Sequence, residues 1–330
     1  MRIRGVLQSL PFLALMAGCA STDATDPSGV GATATADATH PAGVIAATTP
    51  LGARPFGAAI SKEQGTVLIT QLDAAATARG TLPATTLPGS IAVGFIPTNV
   101  KFDGSGRNAF VTNQGDAAIG IINLTTGVQT ATVPVPMSTF NVAWCQSNKR
   151  VYVTGPGAAV YVINPVTATV VDSILTFAVT NGITTNAKCT RVFVSDESNG
   201  RVLEINPATK AIVRTIATGG APKDLAVSPN DKRLFVADET GGVQVWNLTS
   251  GARITTVPLA AGAFGLAIAP DGSQVYAGMP SGGGVAVIST ASNTVISFIA
   301  TGGMPRKIAF NGTGSTAVIA NEFGWVDYVN

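Results

Sequence analysis

Two acidic dipeptides, Asp196-Glu197 and Asp238-Glu239, stand 42 residues apart, each at the end of a short apolar run. Carboxylates so placed could hold a divalent cation, Ca2+ above all, which takes about six to eight oxygen ligands. The dense Asp-x-Asp-x-Asp-Gly spacing of a calcium loop is absent, so solvated hairpin tips are the competing reading.

Little else in the chain could do chemistry. Only 12% of residues are charged, and His40 is the sole histidine, in a stretch of small polar residues. Catalysis by Ser-His-Asp or Cys-His needs a base held against the nucleophile, and zinc, copper and haem sites depend mainly on His and Cys. Chemistry based on histidine is therefore excluded, leaving carboxylates, lysines and oxygen-liganded cations. No cofactor is expected beyond that calcium ion. Setting aside Arg2 and Arg4, 20 basic residues become 18, equal to the 18 acidic ones. Such a balance leaves no electrostatic footprint for nucleic acid.

The first residues read "MRIRGVLQSLPFLALMAGCAS": two arginines, an apolar run too short to span a bilayer, then small residues. Residues 1–18 are expected to be a secretory signal. The segment "LMAGC" resembles the lipobox of bacterial lipoproteins, which implies cleavage before Cys19 and a lipid on its thiol. It also implies a Gram-negative envelope, with the outer membrane as the destination and the lipid as the only membrane attachment. Residues 19–42 are small and polar without periodicity and read as a tether. Beyond Cys19 only Cys145 and Cys189 remain, an even pair in a compartment that permits disulfides. Their registers differ by three positions, so a disulfide and two separate buried thiols both stay open, each structural.

The elements that must position these residues are set by a repeat. "VLIT" at 67, "AFVT" at 109, "VYVT" at 151, "VFVS" at 192, "LFVA" at 234, "VYAG" at 275 and "AVIA" at 317 recur every 41 or 42 residues. Around each lie a preceding apolar segment, a polar turn, a third strand such as "VYVIN", and an Asn- or Ser-initiated turn into a fourth. Seven units of four short antiparallel strands predict an all-β, seven-bladed propeller over residues 43–330. The last unit lacks a fourth strand, and residues 43–49 align with 293–299, the fourth strand of the sixth unit. An N-terminal strand is thus expected to complete the last blade, closing the ring without a free edge. In the first blade the third strand should fall on "ARGTL", followed by irregular chain. A monomer is expected.

"RVYVTGPGAAVYVINPVTATVV" and "RLFVADETGGVQVWNLTSGARITTV" resemble the YVTN-type, YncE-like propeller repeat. The resemblance covers nearly everything after the tether. It implies a seven-bladed ring and much less about activity, family members being mostly binding or uncharacterised proteins.

Register then places side chains around the channel. The first ring position is held by Phe56, Thr98, Phe140, Asn181, Lys223, Phe264 and Arg306, and the next includes Asp224 and Lys307. Of these Phe56, Phe140, Asn181, Lys223, Asp224, Phe264, Arg306 and Lys307 are the candidate ligand-binding residues of a channel mouth. Asp196, Glu197, Asp238 and Glu239, on the same face, are the candidate metal ligands. The expected function is a lipid-anchored, non-enzymatic envelope scaffold that binds a protein, peptide or glycan through this face. The alternatives are a cation-dependent hydrolase or lactonase-like enzyme, and a surface-layer or assembly component. "NLT" at Asn123 and Asn247 and "NGT" at Asn311 are read as turns rather than glycosylation sites.

Overall fold

The computed structural model describes residues 43–330. The signal, Cys19, the tether and His40 lie outside them. The described residues form 28 strands, β1 (Ile45–Pro50) to β28 (Trp325–Val329), and no helix. The strands make seven four-stranded antiparallel sheets, blades I to VII. The innermost strands are β2 (Pro55–Ile60), β6 (Pro97–Phe102), β10 (Asn141–Cys145), β14 (Thr180–Thr185), β18 (Pro222–Val227), β22 (Leu266–Ile268) and β26 (Pro305–Phe310). Each touches the next around the ring, and β26 touches β2.

The second strands show why the motif is apolar throughout. β3 (Thr66–Gln71), β23 (Gln274–Met279) and β27 (Ala317–Asn321) are buried along their whole length. Neighbouring blades cover both their faces, so alternation gives way to a continuous Val/Ile/Leu run. The outer strands β9 (Val128–Pro134) and β13 (Thr169–Leu175) meet protein on one side only and alternate exposed and half-buried residues.

Closure follows the expected register. β1 pairs with β28, with Ile45 opposite Val329 and Pro50 opposite Trp325. Main-chain bonds between Val44 and Asn330, at 3.1 and 3.2 Å, extend the pairing to the end. In blade I, β4 (Ala76–Thr81) is the third strand, as "ARGTL" suggested, and residues 82–88 separate it from a four-residue outer strand, β5 (Gly89–Ala92). The turns before the fourth strands are Asx turns: Asn123, Asn164, Asn206 and Asn247 each accept the N–H two residues on, at 2.8 to 3.1 Å.

Hydroxyls ending the "VYVT" strands join blades. Pairing of β2, β6 and β14 with their second strands slips just after its first residue, so an N–H there is lost from the ladder. Thr70, Thr112 and Ser195 take up those of Gly57, Asn99 and Gly182 at 2.7 to 2.8 Å. Thr112 and Ser195 also donate to the next blade's Phe140 and Lys223 carbonyls. A buried donor is thereby satisfied by a group that also ties adjacent blades.

Cys145, ending β10, and Cys189, in the turn after β14, are disulfide-bonded across blades III and IV with Cα atoms 5.6 Å apart. Cys189 has a φ of 52°, which folds its turn back and makes up the three-position offset.

Candidate functional site

The ring has two unlike faces. The connection face carries the blade-to-blade links and the loops between second and third strands, including Asp196, Glu197, Asp238 and Glu239. The turn face carries the tips between first and second strands, and Val44 and Asn330 meet there beside Thr316.

The expected mouth on the connection face is a plug. Phe56 meets Phe140 and Phe264 edge-on, with centroids 6.0 and 5.9 Å apart. Phe56 and Phe264 are buried, each only 7% exposed. Arg306 lies over Phe56 and Phe264 at 5.5 and 4.7 Å and pairs with Glu322, which Arg54 also holds. Burial opposes ionisation of Glu322, yet the two guanidiniums keep its carboxyl below the usual carboxylate range. Three aromatic rings and a satisfied cation fill the space intended for a ligand, because rings on alternate blades reach one another across the narrow axis.

The four candidate metal ligands do not converge. Asp196 accepts from Asn199 and from Arg201 Nε, the latter at 2.6 Å. Asp238 caps its own loop, accepting from Ala221 N–H, Thr240 N–H and hydroxyl, and Gln244. Despite its burial these donors hold the Asp238 carboxyl below its ordinary pKa. Glu197 and Glu239 turn instead to Lys223, whose Nζ is 2.5 and 3.0 Å from them, and Asn181 donates to Glu197. Burial works against the Lys223 charge, but the paired glutamates raise its pKa overall. The place expected for a calcium ion between blades IV and V is thus taken by an ammonium. Among the described residues no three His, Cys, Asp or Glu side chains gather as a metal group.

Asp224 and Lys307 sit one level deeper and face the lumen, where they pair at 2.9 Å. Asn99 donates to Asn141, which donates to Asn181, so amides line the other side of this level. Below lies a cavity of about 260 Å3 whose walls include Asn99, Lys101, Ala143, Thr184, Asp224 and Lys307. It continues into a cavity of about 740 Å3 that reaches the turn-face residues Lys62, Asp103, Gln146, Pro229 and Asn311. The channel is a funnel, shut by phenylalanines at the connection face and open at the turn face. The sequence reading did not single out Lys101. Its signal was in register: the equivalent positions hold Ala59, Ala143, Thr184, Ala226, Ala267 and Ala309, so one cation stands in a ring of small uncharged residues.

Compared with known proteins, the chain matches no family model and no curated protein. One solved structure decides the architecture. The chain is similar to a hydrazine synthase chain of Kuenenia stuttgartiensis, with a TM-score of 0.75 at 17% identity. The match covers 84% of this chain and 95% of that one. At that identity the likeness concerns the fold, a seven-bladed β-propeller.

Proposed function

We propose that this chain is a non-enzymatic binding propeller of the bacterial cell envelope, carried by a lipid on Cys19. It takes its ligand into the central channel through the turn face. The observation that supports this is the one-ended funnel: a plug of Phe56, Phe140 and Phe264 at one end, and about 740 Å3 of open cavity at the other. Ligand pockets are typically concavities of about 300 to 1,000 Å3 with mostly apolar walls and a few polar groups. The repeats resembling YVTN propellers and the lipobox-like "LMAGC" support the envelope location. The connection face contributes paired ions and a hydrophobic closure.

The test is thermal. A panel of small metabolite anions, amines and sugars should contain compounds that raise the melting temperature of the wild-type protein. Ala309→Trp, which fills the funnel wall, should abolish the rise, whereas Asp73→Ala on the connection face should not. A panel without effect, or a rise insensitive to Ala309→Trp, would refute channel binding. Fatty-acid labelling that persists in Cys19→Ala would refute the anchor.

A further inference from the structure

Three lysines line the two cavities, Lys62 at the turn-face rim and Lys101 and Lys307 deeper, and their situations differ. Lys307 is neutralised by Asp224. The Lys101 ammonium, on the channel wall, has no hydrogen-bond or ion-pair partner among the described residues. Lys101 is exposed and borders both the inner and the outer cavity. Although Lys101 is exposed to the lumen, the protein crowding the channel around it pushes its pKa down, opposed by Asp224 and reinforced by Lys307 and Lys62. An exposed, unpaired ammonium on a channel wall is available to an anion that enters.

The next level toward the turn face is apolar. Ile60, Phe102, Trp144, Val227, Ile268 and Phe310 line the outer cavity there. Trp144 is fixed by stacking on Phe110, centroids 5.3 Å apart, and by donating its indole N–H to Gln146 at 2.8 Å. Further out, Asp103 is engaged by Ser105, Arg107 and Asn108 of its own turn. The funnel therefore has an apolar sleeve over a floor bearing one uncompensated positive charge.

We propose that Lys101 anchors the carboxylate of a small monocarboxylic acid whose aromatic or aliphatic body lies along this sleeve. The proposal rests on the channel-binding reading above. Lys62 stands at the rim next to Glu63, so the one free ammonium on the floor, Lys101, matches one negative charge there. A phosphate dianion would leave charge unmatched, and no guanidinium lines either cavity to hold it bidentately.

Calorimetric titration with three compounds sharing one body, cinnamate, cinnamyl alcohol and cinnamylamine, tests this. Wild-type protein should bind cinnamate saturably, and the alcohol roughly ten- to a hundredfold more weakly, the usual worth of a hydrogen bond to a charged group. Lys101→Met should bring cinnamate down to the level of the alcohol, and Lys101→Arg should restore part of the difference. Melting curves show that both variants are folded. Equal binding of acid and alcohol by the wild type, or undiminished cinnamate binding by Lys101→Met, would overturn the role of Lys101 and leave channel binding standing. If none of the three binds, the monocarboxylate reading falls and channel binding is decided by the wider panel; if they bind and Ala309→Trp affects none of them, both readings fall.

Discussion

Lys307 of blade VII reaches past Gly265 of blade VI and sets its Nζ 2.9 Å from Asp224 of blade V, so one ion pair spans three blades. The reach depends on the absent side chain: a Cβ at Gly265 would lie 1.8 Å from the Arg306 carbonyl oxygen. Asp224 also accepts the Leu266 N–H at 3.1 Å, which fixes the intervening strand. Both partners are largely buried, with 7% and 12% of their side chains exposed.

Removing one partner should therefore cost more than removing both. Lys307→Met leaves an uncompensated carboxylate and should lower stability by about 3 to 5 kcal/mol. The double variant Asp224→Asn, Lys307→Met should recover much of that loss. Denaturant titration of the two variants checks it, and equal losses would contradict it.

Lys101 predicts the opposite sign. Its folded-state pKa is lowered, so between that value and the unfolded value near 10.5 the unfolded chain binds more protons. Stability should then rise with pH through that window, because Lys101 is uncharged in the fold above it. Below the window the penalty of the charged form is complete. Because Lys101 is exposed to the lumen and screened there, Lys101→Met should be only slightly more stable than wild type at neutral pH, and the gap should shrink as the pH climbs toward 10.5, measured by melting temperature across the range.

The plug should act as packing. Phe56→Ala removes the ring that both Phe140 and Phe264 contact and one face of the Arg306 cation–π contact. A loss of about 3 to 5 kcal/mol is expected in chemical unfolding.

Calcium and chelator should leave the wild-type melting curve unchanged, since Lys223 already sits between Glu197 and Glu239. Lys223→Gln should lower stability by about 1 kcal/mol, both glutamates being partly exposed. It should also make the melting temperature sensitive to added calcium.

Reduction of the Cys145–Cys189 bond releases a constraint over 44 residues of sequence. The loop-closure term for such a span is about 4 kcal/mol. The midpoint of denaturation should fall accordingly with reductant and in Cys145→Ser.

The architecture was legible because each blade repeats its own register. The seven "VYVT"-type segments, buried on two faces, had to be continuously apolar, and the unpaired last unit pointed to residues 43–49. The site was less legible, because register gives the blade and the level of a residue but not its reach. Phe56, Phe140 and Phe264 were placed correctly at the first ring position, yet whether their rings line a mouth or fill it depends on the width of the axis. Glu197 and Glu239 were likewise on adjacent loops as expected, but the side chain between them is Lys223, brought in from the inner strand of blade V. The hydroxyl of the repeated motif had a job that only the slipped pairing of β2, β6 and β14 reveals.

Closure by β1 has a mechanical consequence. Val44 and Asn330 are bonded on the turn face, the same side as the funnel's opening. Whatever holds the chain upstream of Gly43 thus grips the propeller by its open end, and pulls along an outermost strand whose release would unlatch blade VII before any other.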